Sequence, residues 1–135
     1  SHWFPTCFVC GPDRGPGDGL RVFPGPIEGS DVVACPWIPD ASLAPEGNMV
    51  SIEFLWATLD CPGAFTFPEP EGEVVLLGEL QAEIYGKVSV GERCVLASRE
   101  IAHQGRKHRT LTALFGESGA CCALGIGTFL TALGT

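Results

Sequence analysis

Positive charge is what this sequence is shortest of. Eight Lys and Arg face 16 Asp and Glu among 135 residues, giving a formal charge of −8 and a pI of ≈ 4.7. That deficit excludes a nucleic-acid binder held by phosphate contacts. Charge of either sign is sparse at 18%, against 45% hydrophobic residues, which excludes a disordered chain. The seven cysteines are an odd count in no regular framework, and no leader-like run opens the chain. Reduced thiols in a cytoplasmic protein are therefore expected. A membrane span is not expected either. Ser118 to Thr135 is free of charge, but glycines and threonines dilute it, and it reads as a buried strand with a frayed tail.

What is present suits one domain over residues 1–135, opened by a loop-rich segment over 1–18. A chain of this length buries about 65–70% of the surface its unfolded form exposes, so no disulfide or metal staple is needed. Gly19 to Phe23 and Asp31 to Trp37 are short strand candidates, the second ending among Pro36 and Pro39, which suit an edge strand or its exit. Asn48 to Leu59 is apolar on nearly every side and is free of Pro and Gly. Asn48 offers an N-cap and Cys61-Pro62-Gly63 a stop, so one helix is expected, buried all round. From Val74 the period falls to two. Val74 to Val88, Arg93 to His103, His108 to Phe115 and Ala120 to Leu130 read as four strands. The short links at Ser89 to Gly91, Gln104 to Arg106 and Glu117 to Gly119 make them an antiparallel meander. A curved sheet wrapped around one greasy helix is an α+β architecture, the hotdog arrangement, although the spacing alone also admits another α+β roll.

Specific residues carry a resemblance. Pro5-Thr-Cys-Phe-Val-Cys-Gly-Pro12, Gly17-Asp-Gly-Leu20 and Phe54-Leu-Trp-Ala-Thr-Leu-Asp-Cys-Pro-Gly63 resemble segments of hotdog thioesterases, a bacterial branch of phenylacetate-type proteins with an N-terminal CxxCG element. Val90-Gly-Glu92 and Gly105-Arg-Lys107 extend it over almost the whole chain. The resemblance implies hydrolysis or binding of acyl-CoA or a related acyl thioester. It also implies a homodimer or dimer of dimers with the site at the subunit interface. Asp60 matches the catalytic Asp of that branch. The positions of its His-Gly-Gly element hold Ser51, Ile52 and Glu53, and Ile52 puts a side chain where a glycine lets a backbone amide approach the thioester oxygen. Two readings stay open: a thioesterase, and a ligand-binding hotdog module without hydrolysis.

The residues themselves support parts of this. Asp60 ends an apolar run at the negative end of a helix, where its pKa should rise toward that of a general base. Glu53 stands seven residues earlier on the same helical face, where it can line the same groove as a second catalytic candidate with Ser51; its simpler role is to complement the helix dipole. The amides around Asn48, Ser51 and Ile52 suit an oxyanion, although a plain cap by Asn48 needs no ligand. Four of the eight cations, Arg99, Arg106, Lys107 and Arg109, fall on one hairpin, with Arg99 and His103 expected on one face. They suit the phosphates of coenzyme A. His103 and His108 read as members of that patch or as surface residues. Cys7-x-x-Cys10 is half of a zinc knuckle without its other half, so no metal or cofactor is expected. A nucleophilic Cys61 would lie at a helix C-terminus, where a thiolate is destabilised.

Overall fold

A computed structural model describes residues 8–10, 13, 20, 22–68 and 73–133. The strands are β1 (Gly25–Pro26), β2 (Val33–Trp37), β3 (Glu73–Ile84), β4 (Cys94–Gln104), β5 (Lys107–Phe115) and β6 (Cys121–Leu133). One helix, α1 (Ile52–Thr58), lies between β2 and β3 and is followed by a 3-10 turn over Pro62–Phe65. All six strands form one antiparallel sheet in the order β1-β2-β4-β5-β6-β3. With α1 packed on its inner face, this is the hotdog fold expected from the sequence.

The uncharged C-terminal run is strand β6, which pairs with β5 on one side and β3 on the other. No helix among the described residues is long and apolar enough to cross a membrane. The meander holds only for β4, β5 and β6. β3 lies at the far edge against β6, so Ser89 to Gly91 is not a hairpin turn. The other side of β4 is already taken by β2. The β3–β4 connection instead bonds to the segment before α1: Val90 N–H donates to the Asn48 carbonyl (2.9 Å) and Gly91 N–H to that of Pro39 (3.0 Å). The first strand candidate also differs. The observed β1 is a two-residue pair just beyond it, and Gly19 and Arg21 lie outside the described residues. Leu20 and Val22 donate backbone bonds to Phe8 and Val9, and all but Phe8 are buried.

Inward-facing side chains follow the alternation. Leu96, Leu114 and Ala123 join Leu55, Leu59, Val88 and Trp37 in the main core, and Trp37 Nε1 donates to the Leu20 carbonyl (3.0 Å). Gly125 of β6 allows the helix end to come this close: an added Cβ would stand 3.0 Å from Leu59 Cβ. The helix is shorter than expected and is not covered all round. Leu55 and Thr58 are buried, but Ile52 is 57% and Trp56 38% exposed, because the chain's own sheet covers only one side.

Candidate functional site

Asp60 comes two residues after α1 and stays tied to it, its N–H donating to the Ala57 carbonyl (3.2 Å). The carboxylate is half-buried at a cavity of about 200 Å³, walled by Cys10, Cys61, Ala64, Phe65, Val75, Leu77 and Phe129. Those walls are almost wholly apolar. Burial raises the pKa of Asp60 above the usual carboxylate range, since water is withdrawn from its charged form. A carboxylate in such a place can take a proton from water or attack a carbonyl carbon. Cys10 is fully buried and lines this cavity; Cys7 lies outside the described residues. Among the described residues, no histidine lines the cavity beside Cys61.

At the other end of α1 the cap is Ser51, not Asn48, and it makes no side-chain cap bond. Ser51 N–H donates to the Leu43 carbonyl (3.0 Å) and Val50 N–H to that of Val88 (2.9 Å). These bonds hold the chain extended up to Ser51 and leave Asn48 in the preceding loop, exposed. Glu53 is exposed on α1 and is not a wall of the Asp60 cavity. A second cavity, about 360 Å³, opens beside this end, lined by Met49, Val50, Ile52, Leu55, Ile84, Tyr85, Gly86 and Lys87. Lys87 gives it a cation that no sequence pattern singled out.

The cationic hairpin does not meet Asp60 within one chain. His108, Thr110, Thr112 and Leu114 of β5 are buried toward α1, so Lys107 and Arg109 point away from it, and both are exposed. Arg99 pairs with Leu111 and shares that outer face, while Arg106 is exposed in the turn. The expectation that Arg99 and His103 share a face fails. The register shifts between Glu100 and Ala102, and this bulge turns His103 inward to pair with His108. His108 is likewise not a surface residue; it is 8% exposed and stacks on Phe67.

The buried thiols are structural. Burial pushes Cys35 up to about 11 and Cys94 up to about 12, so both stay protonated and unreactive at neutral pH.

No family model matches the chain, and no curated protein matches it in sequence. Solved structures do match in fold. A thioesterase of Haemophilus influenzae superposes with a TM-score of 0.73 at 14% identity, over 84% of this chain and 80% of that one. A putative thioesterase of Ralstonia eutropha, described as phenylacetic acid degradation-related, gives 0.72 at 13% identity over 82% and 85%. A Staphylococcus aureus protein solved in complex with CoA gives 0.62 at 10% identity over 73% and 68%. At these identities the likeness is one of fold. The chain is a hotdog protein whose structural neighbours include thioesterases.

Proposed function

We propose that the chain binds an acyl-CoA or a related acyl thioester and hydrolyses it at Asp60, in a homodimer or a dimer of dimers. The observation that carries this reading is the half-buried carboxylate, raised by burial, at an apolar cavity beside the helix end of a hotdog fold. The neighbour with bound CoA and those described as thioesterases support the ligand class. Asp60 activates water or attacks the thioester carbonyl, and the amides of Ile52 and Glu53 donate to the oxyanion. Ser51 stands at the cap position of that helix end and Asn48 supports the loop before it. Glu53 contributes its amide, and its exposed carboxylate complements the helix end.

Two geometric facts favour a site shared between subunits. Ile52 and Asp60 are separated by the whole helix, about 12 Å at ~1.5 Å per residue, so one chain cannot bring both to one carbonyl. The cations Arg99, Lys107 and Arg109 are on the outer face, across the sheet from Asp60. A second subunit supplies the missing half. The edge of β3, twelve residues long and paired with no further strand among the described residues, and the exposed Met49, Ile52 and Trp56 are the surfaces such a partner would cover. Arg99, Arg106, Lys107 and Arg109 then hold coenzyme phosphates from the neighbouring subunit.

The second reading, binding without hydrolysis, is favoured by Ser51, Ile52 and Glu53 in place of a His-Gly-Gly element. A panel of acyl-CoAs with a thiol-reactive dye separates the two. Turnover lost in Asp60→Ala supports the enzyme. No turnover, with a thermal shift by free CoA that Arg106→Ala abolishes, supports the binding module; neither response sinks both.

A further inference from the structure

Glu100, His103 and His108 come together on the inner face of the sheet at its β4–β5 end. Each offers a donor atom, and these atoms lie within 4.8 Å of one another. In a regular strand Glu100 and His103 would point to opposite faces. The bulge between Glu100 and Ala102 reverses the parity, so both turn toward His108. His108 Nδ1–H donates to Glu100 Oε2 at 2.5 Å. Its ring is clamped between Phe67, with centroids 3.9 Å apart, and His103, at 4.0 Å. His103 is exposed and donates from Nε2 to the Gly105 carbonyl (2.8 Å), so it is the member open to solvent.

From this juxtaposition we propose a binding site for one divalent first-row transition ion, with two imidazoles and one carboxylate as ligands. The donor set is the one that suits zinc, nickel or cobalt, and three protein ligands leave room for water. Binding at Nδ1 of His108 moves the proton shared with Oε2 of Glu100 to Nε2 of the same ring or, from the imidazolium, releases it to solvent. The pair then opens from 2.5 Å to about 3 Å, the separation of neighbouring donors around an ion ~2.0–2.1 Å from each. His103, already stacked on His108, completes the set. Phe67 keeps the His108 ring in place, as the outer contacts of metal ligands do. Lys107 and Arg109 lie on the opposite face, so they do not occupy the ion's position. The site does not depend on the Asp60 reading.

Titration of chelator-treated protein with Co2+ and Ni2+ tests it. The expected result is one ion per chain, a rise in melting temperature, and weak visible cobalt bands without the intense near-ultraviolet absorption of a thiolate ligand. His103→Ala and Glu100→Gln, changes at exposed or half-buried positions, should each weaken binding at least tenfold while the far-ultraviolet circular dichroism is unchanged. His108→Ala is the less useful variant, because its buried ring also packs on Phe67. Absence of binding, a thiolate spectrum, or equal affinity in His103→Ala, Glu100→Gln and the wild type would overturn the proposal.

Discussion

Asp60 and Arg109 lie on opposite faces of the same sheet. Asp60 borders the cavity on the α1 side, and Arg109 follows inward-pointing His108 by one residue and so projects outward. If both act on one acyl-CoA, they act from different subunits. Asp60→Ala and a double Arg106→Ala, Arg109→Ala variant should each be nearly inactive alone. Mixed and allowed to exchange, half of the dimers become hybrids with one intact site of two, so about a quarter of wild-type activity returns. Recovery of none, with exchange verified by mass, would place both groups in one chain's site.

Burial of Asp60 has a consequence for stability. Its folded pKa is above the unfolded value of about 3.9, so the folded state holds the proton more tightly. Stability contributed by this group is therefore full at low pH and falls as pH rises through the folded pKa. Asp60→Asn should melt at a higher temperature than the wild type at pH 7, and the gap should close near pH 4. A lower melting temperature at pH 7 would mean the charged form is favoured by the fold.

The hotdog architecture was legible because period-two alternation from Val74 onward and one apolar helical run leave little else to build. Asp60 was legible because a charge ending such a run demands an explanation. The strand order was not, since β3 meets β6 through contacts some fifty residues apart in sequence, while the local link suggests a hairpin onto β4. The cap moved from Asn48 to Ser51 because Ser51 N–H and Val50 N–H donate to the Leu43 and Val88 carbonyls, which no local propensity encodes. A one-residue bulge at Ile101 reverses the face of His103, and a strict alternation pattern cannot register it. Lys87 and Cys10 reach their cavities by tertiary packing alone.

Gly63, in the 3-10 turn beside the Asp60 cavity, has no room for a side chain. A Cβ there would collide with the Thr110 hydroxyl and stand 2.7 Å from the Phe129 ring. Gly63→Ala should cost about 1–3 kcal/mol in urea unfolding, as overpacking does. A change below a few tenths would show that the turn shifts freely.

The exposed face of α1 should be the heart of a subunit contact. Trp56→Asp should raise the dimer dissociation constant about thirtyfold or more, the effect of losing ~2 kcal/mol at a buried aromatic anchor. Light scattering at decreasing concentration checks this. A monomer in the wild type at micromolar concentration would contradict the shared site.

The most direct measurement is release of free thiol from a series of acyl-CoAs by the wild type and by Asp60→Asn, a variant that keeps the side chain's shape. The account predicts turnover with at least one acyl chain and a loss of at least a hundredfold in kcat for the variant. Equal rates in the two proteins would contradict it.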